Sequence, residues 1–149
     1  MNSELNFTLE EILPKFHKEF QEKIKHSVEL LRKAEKLALA YSPNEGFYLS
    51  FSSGKDSQCL YHIAKIAGVK FKAHMGLTSV DPPEVIKFGR EQYPDVDMIK
   101  PKISIYNQAR KEGVLPTRLI RWCCRVYKEG IGAGNVVLIG IRHAESRQR

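Results

Sequence analysis

The sequence predicts an α/β protein: a parallel β-sheet with helices on each side, preceded by a long N-terminal helix. Three observations predict it. Strand-like and helix-like runs alternate from Phe47 onward. A turn rich in Ser and Gly, Ser50-Phe51-Ser52-Ser53-Gly54-Lys55-Asp56-Ser57, joins the first strand-like run to the first helix-like run. Val136-Val137-Leu138-Ile139 forms a continuous apolar run, as in a parallel strand covered on both faces. Such alternation needs right-handed crossover connections.

The 149 residues are read as one domain, 1–149, with a helical part at about 9–41 and an α/β core from about 45. In the first part, Thr8 and Glu11 have capping-box spacing. Pro14 then interrupts, so the long helix is expected to start there, with Pro14 in its first turn. Phe16, Phe20, Ile24, Val28, Leu31 and Ala38 mostly recur every three or four residues, giving one apolar stripe for core or dimer packing. Charges of both signs fill the other face, unlike a basic membrane-surface helix. Ser42-Pro43-Asn44-Glu45-Gly46 ends the helix as a turn.

Phe47–Phe51 is the first expected strand and Gln58–Ile66 the helix after it. Val69–Leu77 is the second strand. Asp81-Pro82-Pro83 opens a helix to Tyr93. Val96–Ile99 is a short strand, and Ile103–Glu112 a helix that Gly113 ends. Trp122–Glu129 is a further helix. Asn135–Ile141 is the clearest strand.

The composition is 42% hydrophobic and 28% charged, that of a soluble globular protein. There is no run of membrane-spanning length and no signal-peptide pattern, so a cytoplasmic location is expected. Three Cys, two of them adjacent, suit a reducing compartment better than a disulfide framework. The net charge of +7 fits a solvated basic surface, an anionic small molecule or nucleic acid. The basic residues after position 117 fall beside other motif residues, which favours a ligand site.

The Ser-rich turn is the strongest chemical feature. Between a strand and a helix, its backbone N–H groups converge at the positive end of the helix dipole and suit phosphate. Gly54 lets the backbone approach a ligand. Ser52, Ser53 and Ser57 add hydroxyls, Lys55 adds a positive charge, and Asp56 lies in the same turn. An ordinary helix cap would also place Asp or Ser there. It is not a Walker loop, because Leu49 stands where that motif has its first Gly.

In an open parallel sheet, ligands bind at the carboxyl ends of strands where the strand order reverses. Three stretches should meet there: the Ser-rich turn, Ala73-His74-Met75-Gly76-Leu77-Thr78, and Gly140-Ile141-Arg142 with the residues up to Arg149. Arg142, leaving the last strand, is suited to bidentate phosphate binding. Terminal Arg residues that only solubilise the chain are the alternative, with equal claim at Arg147.

The Ser-rich turn resembles the PP-loop, Ser-x-Gly-x-Asp-Ser, of the ATP pyrophosphatases and the phosphoadenosine phosphosulfate (PAPS) reductase family, with Ser53 where the usual form has Gly. The resemblance extends from about residue 45 to the end. It includes Pro116-Thr117-Arg118, Arg121-Trp122-Cys123-Cys124-Arg125, and then Gly140-Ile141-Arg142 followed by Glu145-Ser146 and Arg149. It implies a Rossmann-like fold of the adenine nucleotide alpha hydrolase type. The ligand implied is ATP, which Mg2+ could accompany, or an adenosine phosphosulfate. Ser52, Ser53, Gly54, Lys55, Asp56 and Ser57 would cradle phosphate or sulfate. His74, Met75, Gly76 and Leu77 would lie along the adenosine by backbone contacts, beside Gly140. Arg142 and Arg149 would neutralise phosphate.

The resemblance also brings a departure. Reductases of the family use a Cys in a C-terminal Glu-Cys-Gly segment, and those with an iron–sulfur cluster add a later Cys-x-x-Cys. Neither segment is in these residues, so the expectation is a piece of a longer parent whose cluster Cys123 and Cys124 would help to hold. In this chain, core packing beside Trp122 accounts for the pair, and Cys59 reads as a buried apolar side chain. No metal site is expected here. The expected function is nucleotide binding for adenylyl or sulfur-transfer chemistry, as in an oxidoreductase or transferase of sulfur metabolism. A thiol donor such as thioredoxin and a second copy of the chain are the partners considered. A non-catalytic nucleotide-binding module and a sulfur-inserting modifier of nucleic acid are the alternatives.

Overall fold

The computed structural model describes residues 8–141. The chain opens with a one-turn helix, α1 (Leu9–Ile12), and a 3-10 turn, Leu13–Lys15. The Glu11 carboxylate accepts the Thr8 N–H at 2.9 Å, the reciprocal half of a capping box. Pro14 belongs to the 3-10 turn and not to the long helix, α2, which spans Lys18–Tyr41. Extended backbone at Phe16 and His17 separates them, so the helix starts later than the sequence suggested. The expected apolar stripe also divides. Val28, Leu31 and Ala38 are buried, whereas Phe16 and Phe20 are 42% and 55% exposed and stack on each other.

Four strands follow: β1 (Phe47–Ser50), β2 (Phe71–Gly76), β3 (Asp97–Ile99) and β4 (Val137–Leu138). All pair in parallel, in the order β3-β2-β1-β4. The expected α/β parallel architecture is observed, and the order is compatible with a Rossmann-like design. α3 (Lys55–Ala67) connects β1 to β2, and α4 (Pro83–Gln92) connects β2 to β3. α5 (Ile105–Glu112), α6 (Trp122–Cys124) and a π-helical turn, Arg125–Glu129, lie between β3 and β4. Gly113 ends α5 in a left-handed conformation, φ 71°, as its position predicted.

Phe47, Leu49, Ala73 and Met75 point to one face of the sheet and are buried with Tyr61 and Ala64 of α3. α4 packs on this face: a β-carbon on Gly89 would lie 2.8 Å from the Met98 methyl. The opposite face carries Tyr48, His74 and Gly76. The segment from Tyr127 to Gly132 covers part of it, with Gly132 against the Tyr48 ring. Helical segments therefore flank the sheet on both sides.

β4 departs from expectation. The apolar run Asn135–Ile141 predicts a strand covered on both faces, yet only Val137 and Leu138 enter the ladder, and they pair with β1 alone. Ile139 is 57% exposed. The Ile141 N–H turns back to the Ile139 carbonyl at 3.1 Å, which takes the backbone out of strand geometry.

Candidate functional site

The strand order reverses between β1 and β4. The chain moves outward from β1 to β2 and β3, then returns to the other side of β1. At that reversal the loop after β1 meets the residues after β4. A β-carbon on Gly140 would lie 2.9 Å from the Asp56 carbonyl oxygen and 3.3 Å from the Ser57 nitrogen. The structure thus brings together two of the three predicted stretches, Ser52–Ser57 and Gly140.

The loop is organised from within. Ser53 takes φ 58°, the left-handed conformation that glycine adopts without a Cβ penalty. This is the position where the PP-loop pattern has Gly, and Ser here accepts the conformation. Its hydroxyl points inward to the Met75 sulfur at 3.6 Å, and its carbonyl accepts the Gln58 side-chain amide at 2.7 Å. Ser57 is 5% exposed. Its hydroxyl donates to the Gly54 carbonyl at 2.9 Å and accepts the Ser52 N–H at 3.1 Å. With that proton committed, the Ser52 hydroxyl is the donor in the 3.2 Å contact between the two oxygens. The serine hydroxyls therefore brace the loop.

What faces outward is backbone and charge. Gly54 caps α3 with extended backbone, and the first helical bond runs from the Gln58 N–H to the Gly54 carbonyl at 3.0 Å. The amides of the first turn precede that bond and form the positive pole of the helix dipole. Gly54 and Lys55 are exposed, and Asp56 is half-buried. A β-carbon on Gly54 would meet only the Ser52 hydroxyl, at 3.3 Å. The bare Cα thus adds no side chain over the start of α3.

The second-strand stretch is placed differently. Met75 and Leu77 have buried side chains, and Met75 touches the loop through Ser53. The Leu77 N–H is bonded to the Ile99 carbonyl at 2.9 Å. Gly76 is covered, since a β-carbon there would lie 2.7 Å from Ile131 and 2.8 Å from the Tyr127 carbonyl. His74 is buried and stacks on Tyr48, with ring centroids 4.3 Å apart. Neither ring nitrogen has a hydrogen-bond partner, and Nδ1 lies 3.7 Å from Asp97 Oδ2. Burial, then the neighbouring Lys72, holds its pKa below the ordinary value.

Three supporting residues escaped the sequence reading. Gln58 holds the Ser53 carbonyl and accepts the Tyr93 hydroxyl at 3.1 Å, and Gly89 of α4 backs the Ser53 hydroxyl. A glycine inside a helix was the one available signal, since it often marks a close approach.

Cys123 and Cys124 lie half-buried on α6, away from the loop's hydrogen bonds. Arg121 points a guanidinium nitrogen at the Cys124 sulfur from 3.5 Å, and the Trp122 indole donates to the Val114 carbonyl at 3.0 Å. Cys59 is exposed on α3, not buried as expected. Among the described residues, no three His, Cys, Asp or Glu side chains are grouped to hold a metal ion, so these thiols do not fit a cluster by themselves. No described helix is long and apolar enough to cross a membrane. Arg142 and Arg149 fall outside the described residues. A cavity of about 1190 Å³ is lined by α1, α2 and α3 and by no residue of the Ser52–Ser57 loop. Compared with protein-family models, curated proteins and solved structures, the chain matched none.

Proposed function

We propose that this chain is an adenine nucleotide-binding domain resembling the PAPS reductase family. Its loop Ser52–Ser57 takes the phosphates of ATP or the phosphosulfate of an adenosine phosphosulfate. The observation that carries this reading is the contact of Gly140 with Asp56 at the strand-order reversal. It supports a ligand in the crevice between the two loops, the position favoured in open parallel sheets. The exposed Gly54 and Lys55 add a backbone approach and a positive charge. Arg142 and Arg149 supply further charge from the residues after β4.

With ATP, a nucleophile attacks the α-phosphorus and pyrophosphate leaves. The first-turn amides and Lys55 stabilise the negative charge that develops. Mg2+, where present, would travel with the triphosphate. With a phosphosulfate, a thiol from a donor protein such as thioredoxin, or from a longer parent, attacks sulfur and the adenosine phosphate leaves.

The test is calorimetry with ATP, AMP, adenosine phosphosulfate and PAPS, on the parent and on Gly54→Val. A β-carbon at Gly54 would meet only the Ser52 hydroxyl, at 3.3 Å, which has to shift slightly, and the added side chain would stand where phosphate is proposed to approach the backbone. The expected outcome is binding by the parent and loss of binding in a variant that still unfolds cooperatively. Arg142→Ala should cost roughly 1.5–3 kcal/mol of affinity for the phosphorylated nucleotides and little for adenosine. Unchanged affinity in a folded Gly54→Val protein would refute the loop assignment.

A further inference from the structure

Three side chains form a hydrogen-bonded chain that ends on the Ser53 carbonyl. Gln58 and His62 stand one turn apart on α3, and Tyr93, at the end of α4, lies against both. Gln58 Nε2 donates to the Ser53 carbonyl at 2.7 Å, and Gln58 Oε1 accepts the Tyr93 hydroxyl at 3.1 Å. His62 Nε2 lies 3.2 Å from that hydroxyl. Each bond has one possible direction. A carbonyl only accepts, so the Gln58 amide turns its NH2 to Ser53 and its oxygen to Tyr93. Burial holds the Tyr93 pKa above its ordinary value, so the hydroxyl keeps its single proton, which goes to Gln58. His62 therefore donates from Nε2. The buried Tyr93 ring packs on Phe51 and Tyr61, with centroids 4.8 and 5.1 Å apart, which holds the hydroxyl in place.

The bond to Ser53 governs a whole peptide. In a trans peptide the C=O and the N–H point opposite ways, so a Ser53 carbonyl turned to Gln58 turns the Gly54 N–H away from it. Rotating that peptide changes ψ of Ser53 and φ of Gly54. The Gly54 φ, −76°, can change sign without a Cβ penalty, so the loop's own backbone resists the rotation little. One orientation puts an amide at the start of α3, and the other puts a carbonyl oxygen there. The amide attracts an anion and the oxygen repels it.

Building on the nucleotide-binding role proposed for the loop, we infer that Gln58 is a positioning residue: its amide, oriented by Tyr93 and His62, locks the Ser53–Gly54 peptide with the Gly54 N–H toward the phosphate of the nucleotide. The residue acts through the backbone and touches no ligand. Methionine of similar length has no amide to hold the carbonyl. Glutamate would face the carbonyl with a second acceptor and favour the reversed peptide.

The experiment follows the nitrogen resonance of the Gly54 amide in the full chain, beside calorimetric titration with ATP, adenosine phosphosulfate and adenosine. That resonance reads the hydrogen bond on the Ser53 carbonyl, because both atoms belong to one conjugated peptide. Without nucleotide, Gln58→Met and Gln58→Glu should shift it more than the resonances of Lys55 and Asp56. Both should weaken ATP and adenosine phosphosulfate at least about tenfold, the worth of one hydrogen bond to a charged group, and leave adenosine unchanged. Tyr93→Phe drops only the hydroxyl and should act in the same direction by a smaller factor. It carries the test should the Gln58 variants not fold. A Gly54 resonance unmoved in every folded variant would overturn the assignment. Equal weakening of adenosine and ATP would also overturn it, since that is the mark of a merely structural role. A parent that binds ATP and a folded Gln58→Glu that binds it equally would refute the positioning role alone. A parent that binds none of the three ligands would refute the nucleotide role of the loop and the phosphate role of Gln58 together.

Discussion

Gly140 and Asp56 touch across the strand-order reversal: the Gly140 Cα faces the Asp56 carbonyl so closely that a β-carbon would lie 2.9 Å from the oxygen. Eighty-odd residues of chain separate them, and the contact joins the end of the last strand to the first turn of the helix after the first. Gly140→Ala should push the two loops apart. A loss of about 1–3 kcal/mol in urea unfolding is expected, the usual cost of overpacking. If the crevice holds a nucleotide, the thermal shift given by ATP should fall as well. An unchanged midpoint would show that the loops can separate without cost.

The left-handed backbone of Ser53 makes a second, opposite prediction. The conformation costs an L-residue about 1–2 kcal/mol, and glycine returns about 0.5–1 kcal/mol of that as chain entropy. Ser53→Gly should therefore be neutral or up to about 1 kcal/mol more stable, less whatever the Met75 contact contributes. Ser53→Val should lose about 1–3 kcal/mol, because a β-branched residue at positive φ is strained. Equal effects of the two substitutions in denaturant melts would contradict the geometry.

Gly46, at the turn into β1, has φ 71°, and a β-carbon there would fall 2.1 Å from the Lys70 carbonyl. That carbonyl accepts the Phe47 N–H at 2.9 Å. Gly46→Ala combines a forbidden contact with backbone strain and should destabilise by about 2–4 kcal/mol. Calorimetric melting checks it. A variant as stable as the parent would mean that the turn re-forms in another way.

His74 sets a pH dependence. Its pKa in the fold lies below the ordinary 6.5 because burial, and then Lys72, disfavour the imidazolium, against a smaller pull from Asp97 and Glu45. The unfolded chain therefore binds more protons in the window just below 6.5. Stability is full above that pH and falls as pH drops toward the lowered value. His62, lowered by burial and Lys65, adds in the same direction. His74→Phe keeps an aromatic ring on Tyr48 and should flatten the slope of unfolding free energy in the window just below pH 6.5. A slope unaltered by the substitution would assign it to other groups.

The chemistry that local sequence dictates was legible from the residues alone. A Ser/Gly turn between a strand and a helix, the Thr8–Glu11 pairing and the glycine stop at Gly113 depend on neighbours within a few positions. There, backbone geometry and short-range hydrogen bonds decide the outcome. The alternating runs likewise determined a parallel α/β sheet, because parallel strands need long crossovers.

Periodicity says that a side chain faces something, and only packing says what. The apolar stripe could not reveal that Phe16 and Phe20 stand outside the core, because Phe16 lies in the extended backbone before α2 and only Val28, Leu31 and Ala38 of the stripe are buried in the fold. The apolar run at Val136–Ile139 could not reveal a two-residue edge ladder, because strand order depends on which non-local pairing closes the sheet. Nor could the loop's composition show that the Ser53 and Ser57 hydroxyls turn inward. The Ser57 hydroxyl bonds within the loop, but the Ser53 side chain is directed by Met75 and Gly89, which the tertiary fold brings beneath it.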